Sequence, residues 1–221
     1  MINKEKILAR FRDYGIKSLK LFGYHTSRSR EYDFILNNVS PRKATIMDIG
    51  SVGSLLPLKI AKKGHKVFTV DTREYHEKHS NITSINKDIN STDFPENFFD
   101  EIICVSVLEH IGMSAYGDPT YKDGDELTVQ VFAKILKNSG KLLITMPFAG
   151  EYKISPWLDT YEKIYDYKSV TTLFENWKII KEEYYIPEGQ KNWIKANREN
   201  AEKIHDSYPR SNLACFIFEK T

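Results

Sequence analysis

The segment 46–71 constrains the fold more than any other part of the chain. It begins with an apolar strand that ends at Gly50, continues with a predicted helix over 54–63, and closes with a second apolar strand that ends at Asp71. Two strands joined by a helix form a βαβ unit, whose strands lie parallel in one sheet. Glycine in the turn after the first strand lets the backbone approach a ligand closely, so this turn is a candidate binding site.

Strand and helix signals continue to alternate after this segment. Strands are predicted at 44–49, 66–70, 82–86, 100–105, 141–146, 177–185 and 213–219, and further helices at 126–137 and 167–174. This alternation is typical of a doubly wound α/β fold. We predict a mostly parallel sheet of seven strands, in which the last strand is antiparallel and pairs with the strand before it at one edge.

The 221 residues fit a single α/β domain. We predict an N-terminal helical cap over 1–40, with helices at 2–14 and 29–38, followed by a core over 44–221. Within the core, the polar stretch 190–210 is long for a hairpin loop. It is predicted to be a partly helical insertion that covers another part of the molecule.

The charge and composition exclude several classes of partner. The 32 basic and 30 acidic residues are interspersed and leave a net charge of +2, so no basic patch points to nucleic acid. No apolar run approaches the ~20 residues of a membrane span, and the charged N-terminus lacks a signal-peptide core. We therefore expect a cytoplasmic protein with no membrane partner. Cys104 and Cys215 lie in apolar, strand-like runs and are expected to be buried, reduced thiols.

Acidic residues follow the predicted strands where a ligand is expected, because open parallel sheets bind ligands beyond the carboxyl ends of their strands. Asp71 comes about twenty residues after Gly50, a spacing at which a carboxylate accepts hydrogen bonds from both hydroxyls of a ribose. Asp88 follows the third strand and could accept from an adenine amino group, with Ile89 packed on the base. Each carboxylate also has an ordinary explanation, as a turn residue at Asp71 and as an Asx turn at Asp88.

A nicotinamide dinucleotide is the main alternative ligand for such a turn. Its fingerprint, G-x-G-x-x-G, needs three glycines so that the pyrophosphate reaches the helix N-terminus. Counted from Gly50, Val52 and Leu55 stand at the second and third glycine positions. The sequence therefore gives poor support to a pyrophosphate site.

Four motifs follow one another within residues 44–146: IMDIGSVGS, VFTVDTR, NKDI and FDEIICVSVLEHIG. Together they resemble the class I S-adenosylmethionine (SAM)-dependent methyltransferases, and 106–112 is the most specific of the matching stretches. The resemblance implies a Rossmann-like fold, SAM as cofactor and S-adenosylhomocysteine (SAH) as product. The cofactor-binding residues that it implies are Asp48, Gly50, Ser51, Gly53, Asp71, Thr72, Asp88, Ile89 and Ser106. Val52 departs from the family pattern, in which a second glycine is usual at this position.

Two further runs, YGDP over 116–119 and DGD over 123–125, look like those of a largely uncharacterised subgroup of these enzymes. Some members of that subgroup are associated with surface-glycan biosynthesis. The acidic residues of this loop could bind hydroxyls of a polar acceptor, cap the following helix, or bind a divalent metal together with His110. Because the spacing matches no fixed metal motif, we predict no metal. The candidate substrate-binding residues are Tyr116, Asp118, Asp125 and Tyr152.

Methyl transfer to a hydroxyl benefits from a base that removes the proton. His110 follows the fourth strand, where the methyl end of SAM is expected, and histidine titrates near neutral pH, so it is the candidate catalytic residue. A structural role in the local turn is the alternative. The neighbouring Glu109 is expected to point elsewhere and to bind a backbone group or the N-terminal segment.

Two other groups of side chains are expected near the mouth of the site. Arginines before the core could pair with the methionine carboxylate or an acidic acceptor, or remain solvated. Aromatic side chains after the fifth strand could stack on a sugar ring, or form the core of a lid. These groups are Tyr24, His25, Arg28 and Arg30, and Tyr152, Trp157 and Tyr161.

We therefore expect a SAM-dependent methyltransferase that acts on a small polar molecule, most simply on a hydroxyl of a sugar or glycan precursor. Two alternatives stay open. One is a SAM-binding protein without turnover, which the irregular Val52 favours. The other is N- or C-methylation of another small molecule.

Overall fold

We describe the fold from a computed structural model of the chain. The structure describes residues 14–15, 25–114, 118–157, 160–189, 192–203 and 211–221. The predicted helix at 2–14, except for its last residue, lies outside these ranges, as do Tyr24, Tyr116 and the greater part of the C-terminal half of the stretch 190–210.

A sheet of eight strands forms the centre of the described structure, with the order β3-β2-β1-β4-β5-β10-β8-β9. Its strands are β1 (Thr45–Ile49), β2 (Lys66–Asp71), β3 (Ile82–Asn86), β4 (Phe99–Val105), β5 (Leu136–Phe148), β8 (Trp177–Glu188), β9 (Asn192–Ala196) and β10 (Asn212–Lys220). A separate hairpin consists of β6 (Lys153–Trp157) and β7 (Thr160–Ile164). The described α-helices are α1 (Ser27–Asn38), α2 (Leu56–Lys62), α3 (Gly124–Ile135), α4 (Tyr167–Leu173) and α5 (Arg198–Glu202).

The strand directions confirm the predicted Rossmann-like fold. Strands β1 to β5 run parallel, and β10 is antiparallel to both of its neighbours, β5 and β8. Without β9, these seven strands form the doubly wound, mostly parallel sheet with an antiparallel last strand that the sequence predicts. The reversal of strand order falls between β1 and β4, the point at which such sheets bind ligands.

The predicted antiparallel pair of the last two strands is confirmed, as β8 and β10 at one side of the sheet. Within this pair, β10 is the inner strand and lies between β5 and β8. Its residues 212–218 are all buried, and a strand that is apolar on both faces is stable in the middle of a sheet that helices cover on both sides. The stretch 190–210, predicted as a partly helical insertion, supplies an additional edge strand, β9, as well as the short helix α5.

Two apolar layers cover the sheet, one on each face. Alternate residues of β1 point to opposite layers, so that Met47 packs towards α3 and α4 whereas Ile46 packs towards α1 and α2. The thiols of Cys104 and Cys215 are buried and unbonded in these layers, as predicted, and burial raises the pKa of both well above the usual value. Among the described residues, no helix has the length and apolar character needed to span a bilayer.

Helix α1 is attached to the sheet through a buried carboxylate. Its N-terminus is capped by Thr26, whose hydroxyl accepts a hydrogen bond from the Ser29 amide at 3.1 Å. Further along, Glu31 is 2% exposed and accepts hydrogen bonds from the hydroxyls of Ser106 and of Thr145, the latter at 2.9 Å. Its other oxygen lies 3.3 Å from a guanidinium nitrogen of Arg28. Glu31 therefore joins α1 to the carboxyl ends of β4 and β5.

Replacing Glu31 with glutamine is expected to lower the free energy of unfolding by about 1–3 kcal/mol. The substitution keeps the shape of the side chain, but it removes the charge that Arg28 pairs with and turns one acceptor into an amide donor. Urea unfolding of the purified variant measures the loss. Glu199, an exposed residue of α5, provides the control, because Glu199→Gln should change stability by no more than about 0.5 kcal/mol. Equal stability of the two variants would contradict the role given to Glu31.

Candidate active site

A cavity of about 760 Å³ lies at the carboxyl ends of β1, β2 and β4, beside α1. This volume is within the range of small-molecule sites, which is about 300–1,000 Å³. Most of the residues that the sequence assigns to the cofactor line it: Asp48, Gly50, Gly53, Asp71, Thr72, Asp88, Ile89 and Ser106. The described structure thus brings together groups that lie up to about sixty residues apart in the chain, at the point where the strand order reverses.

The floor of the cavity is the turn after β1. Gly50 has a φ of +65°, its amide donates to the Val70 carbonyl at 2.9 Å, and a Cβ at this position would overlap the side chain of Val107. Gly53 also has a positive φ, of +75°. Ser51, in contrast, is 1% exposed and turns its hydroxyl away from the cavity to donate to Asp48. Only a glycine fits at position 50, because the backbone there lies against both the cavity and Val107.

Asp48 places a buried carboxylate in the cavity wall. It is 3% exposed, and burial raises its pKa to about 7, although the hydrogen bond from Ser51 lowers it and the charge of Asp71 raises it further. Within the part of the chain that the structure describes, its Oδ2 has no hydrogen-bond partner. A buried carboxylate oxygen of this kind favours a cationic group or a hydrogen-bond donor in the adjoining cavity.

Asp71, at the end of β2, holds the turn in place. Its Oδ2 accepts from the Val52 amide at 3.0 Å, and its Oδ1 accepts from the amide and the Nε of Arg73, at 3.0 and 3.3 Å. The bond to the Val52 amide does not require a glycine at that position, which accounts for the irregular residue in the motif. The next residue, Thr72, donates its hydroxyl to Asp118 at 2.5 Å.

Asp88 forms an Asx turn, which is one of the two roles expected from the sequence. It also lines the cavity, as its other expected role, binding of an adenine amino group, requires. Its Oδ1 accepts from the Asn90 amide at 2.8 Å, and its Oδ2 accepts from the hydroxyl of Tyr121 at 3.1 Å. Ile89 is buried beside it and contributes an apolar surface to the same wall. The two interpretations of Asp88 are therefore compatible.

His110 and Glu109 face different surroundings, as expected for neighbours in a helical turn. His110 lines the cavity, and burial lowers its pKa to about 4, with a further decrease from the charge of Arg28 and an opposing hydrogen bond with the Tyr161 backbone. The imidazole is therefore neutral at neutral pH. Glu109 is 1% exposed, lies outside the described cavity wall, and has a pKa that burial raises well above the usual value.

The residues that the sequence assigns to an acceptor do not gather at one place. Asp118 lines the cavity, but Asp125 lies outside its described wall, where it pairs with Lys163 and accepts from the Tyr165 hydroxyl at 3.0 Å. Tyr152 is 41% exposed and packs on the Tyr165 ring, also away from the wall. Tyr116 lies outside the described residues.

Of the other interpretations of the acidic loop, a role at the start of the following helix is the one that the contacts support. The described residues contain no group of three or more side chains able to hold a metal ion. Asp123 stands at the N-terminus of α3 with a φ of +56°, without a capping hydrogen bond from its side chain. Asp125 accepts from the Glu126 amide at 3.1 Å, so its part in the loop is to order the start of the helix.

Of the two arginines assigned to the mouth of the site, Arg28 lines the cavity wall together with Tyr32 of the same helix. Arg30 instead donates to the Trp193 carbonyl at 2.7 Å and lies over the Tyr185 ring. The backbone of His25 pairs with β9 through the Trp193 amide. Four residues that line or support the cavity were not predicted from the sequence. They are Glu31, Tyr32, Val107 and Tyr121. Tyr121 comes two residues after the YGDP run, and this proximity is the one sequence signal that could have found it.

Comparison with solved structures defines the class of fold. The chain is similar to 1,6-didemethyltoxoflavin-N1-methyltransferase of Burkholderia thailandensis, solved with 1,6-didemethyltoxoflavin and SAH, with a TM-score of 0.66 and 13% identity over 100% of this chain and 92% of that one. It is similar to the N-methyltransferase NodS of Bradyrhizobium japonicum WM9 in complex with SAH, with a TM-score of 0.57 and 14% identity over 87% and 86% of the two chains. The [4+2]-cyclase SpnF also matches, with a TM-score of 0.61 and 13% identity over 86% and 80%. The chain thus has the fold of the class I SAM-dependent methyltransferases.

Comparison of the sequence identifies the family within this fold. A family model described as "Caenorhabditis protein of unknown function, DUF268" matches residues 44–205, and the chain belongs to this family. A comparison with curated proteins finds no match.

Proposed function

We propose that the chain binds SAM in the cavity beside Gly50 and transfers its methyl group to a hydroxyl of a small polar acceptor, such as a sugar or a glycan precursor. The observation that carries the proposal is the turn after β1. It combines a glycine that no other residue can replace with a wall formed by Asp48, Asp71 and Asp88, at the switch point of the sheet.

The residues of this wall fit SAM in charge and in shape. SAM carries an ammonium and a sulfonium, and the buried Asp48 Oδ2 offers a negative partner to a cationic group. Asp71 and Asp88 lie in the wall where hydroxyls and an amino group of adenosine could donate to them. SAM supplies a methyl group on a good leaving group, so the protein's main tasks are to align the acceptor and to exclude water.

A dinucleotide fits this site less well. The helix that follows the turn, α2, has only seven residues, begins without a side-chain cap, and carries Pro57 in its first turn. Val52 and Leu55 occupy the positions at which a pyrophosphate site needs glycine. These features support SAM over NAD as the ligand.

His110 is the residue to which we assign the proton transfer. It lines the cavity, and its lowered pKa keeps a neutral ring, with a lone pair on one nitrogen, at neutral pH. The hydrogen bond with the Tyr161 backbone opposes the lowering of the pKa, so that the ring keeps some of its basicity. A hydroxyl acceptor placed beside this ring could pass its proton to it as the methyl group is transferred.

A SAM-binding protein without turnover is the second candidate. It is favoured by one observation: of the described residues assigned to the acceptor, only Asp118 lies in the cavity wall. The SpnF fold neighbour, a [4+2]-cyclase, supports the general point that this fold carries more than one chemistry.

Calorimetric titration of the purified chain with SAH, SAM and NADH tests the proposal. We expect SAH and SAM to bind in the micromolar range or tighter, which corresponds to about −8 kcal/mol, and NADH not to bind. Turnover of SAM to SAH in the presence of a panel of sugars and nucleotide sugars then separates the two candidates. Binding of NADH without SAH would contradict the proposal, and binding of SAH that no acceptor converts to turnover would favour the binding protein.

A further inference from the structure

The segment 118–121, which contains the candidate acceptor residue Asp118, is held in position by backbone contacts with 112–113. The Tyr121 amide donates to the Gly112 carbonyl at 3.2 Å, and Thr120 pairs with Met113 across a β-bridge. Gly112 has a φ of +80°, and a Cβ there would overlap the Tyr121 carbonyl. These contacts hold the segment in the cavity wall. The close packing at 112 requires glycine, because a larger residue would push Tyr121 away.

Side chains of this segment lie against the ends of β2 and β3. Asp118 accepts from the Thr72 hydroxyl at 2.5 Å. The Tyr121 hydroxyl donates to Asp88 at 3.1 Å and accepts from the Asn90 side-chain amide at 2.7 Å. Asp118, Tyr121, Thr72 and Asp88 all line the same cavity. The segment thus borders the half of the cavity in which the adenosine of SAM is proposed to lie.

Asp71 has too few free lone pairs to accept hydrogen bonds from both hydroxyls of a ribose, so a second carboxylate could accept from one of them. A carboxylate has about four lone-pair sites, and three donors from Val52 and Arg73 already occupy three of those of Asp71. A ribose presents two hydroxyls, each of which can donate one hydrogen bond. Asp118 is half-buried in the adjoining wall, and no described residue donates to its Oδ2.

We infer that Asp118 is a second ribose-binding carboxylate, which acts beside Asp71, and that Tyr121 is a positioning residue that holds Asp88 towards the base. The ligand class that this arrangement takes is an adenosine with an intact pair of ribose hydroxyls. The inference rests on the proposed function, and it moves Asp118 from the acceptor to the cofactor. The acceptor would then bind beside Arg28 and His110, which line the same cavity.

Calorimetry with SAH on Asp118→Asn tests the inference. Asparagine keeps an oxygen for the Thr72 hydroxyl but loses the charge, and a hydrogen bond to a charged group contributes enough that we expect roughly 10- to 100-fold weaker SAH binding. Asp123→Asn is the matched control, because it makes the same change of charge on a nearby side chain that is 49% exposed and outside the described cavity wall. The control should bind SAH as the wild type does, and thermal unfolding checks that both variants are folded.

A second experiment compares the affinities of the wild type and of Asp118→Asn for SAH and for its 2′-deoxy and 3′-deoxy analogues. The wild type should bind at least one analogue about tenfold more weakly than SAH, and Asp118→Asn should lose that discrimination. SAH affinity of Asp118→Asn within twofold of the wild type would overturn the inference. An equal loss for SAH and both analogues would also overturn it, because it would mean that Asp118 only supports the wall. If the wild type itself does not bind SAH, the proposed function fails, and the inference fails with it.

Discussion

Replacing Gly50 with alanine is expected to abolish measurable SAH binding and to lower the free energy of unfolding by about 2–5 kcal/mol. The left-handed backbone at φ +65° costs a non-glycine residue ~1–2 kcal/mol, and forcing a methyl group into the packed Val107 side chain costs ~1–3 kcal/mol more. The turn can relieve this overlap only by moving, and it would then move into the cavity that it lines. Urea unfolding and calorimetry with SAH measure the two effects on the same protein sample.

Gly189 offers a matched control for the backbone contribution alone. Its φ is also +65°, but nothing lies within 4 Å of a Cβ placed there. Gly189→Ala should therefore lose only ~1–2 kcal/mol and should bind SAH normally. In the Gly50→Ala background, Val107→Ala removes the two methyl groups that overlap most and should restore part of the stability. Normal SAH binding by Gly50→Ala would show that the turn is not in contact with the cofactor.

Replacing His110 with alanine is expected to lower kcat by about 10²- to 10⁴-fold, the range that general acid–base catalysis contributes. The affinity for SAH should stay within a few-fold of the wild type, because the proton is taken from the acceptor and not from the cofactor. The measurement is turnover of SAM with whichever sugar or nucleotide sugar proves to be an acceptor. His76, which is partly exposed and lies outside the described cavity wall, is the control position for the same substitution.

The pH dependence gives a second readout of the same role. Because burial lowers the pKa of His110 to about 4, the neutral, proton-accepting ring persists down to that pH, whereas an ordinary histidine would already be protonated near 6.5. With SAM saturating, so that protonation of Asp48 near pH 7 does not limit binding, we expect kcat to fall as the pH drops through about 4, and His110→Ala to lack this dependence. A full rate in His110→Ala, or an acid limb that survives the substitution, would assign His110 to the structural role instead.

The parallel half of the sheet could be predicted from sequence because its signals are local. The strand, turn and helix over 46–71 each show in a short window, and their order dictates a parallel pair. The place of β10 between β5 and β8 depends on pairing between strands far apart in the chain, which no short window contains. Its uniformly apolar residues are a signal of a central position that could have been used.

The cofactor half of the site was more predictable than the acceptor half for the same reason. Gly50 and Asp71 belong to one βαβ unit, so their spacing fixes their geometry. Asp125 is a candidate acceptor residue in the sequence because it belongs to an acidic loop before a predicted helix. Its actual partners, Lys163 and Tyr165, are 38 and 40 residues away in the hairpin and beyond it. A single sequence contains no signal for such a distant pairing.

The central position of β10 limits how far the chain can be shortened without loss of the fold. The stretch that the family model matches, 44–205, excludes both β10 and α1. A fragment with those borders would lack the strand that joins β5 to β8, and it would also lack Glu31, which joins α1 to Ser106 and Thr145. The border of the matched sequence region is therefore not the border of a folding unit here, and a shortened version should keep both α1 and β10.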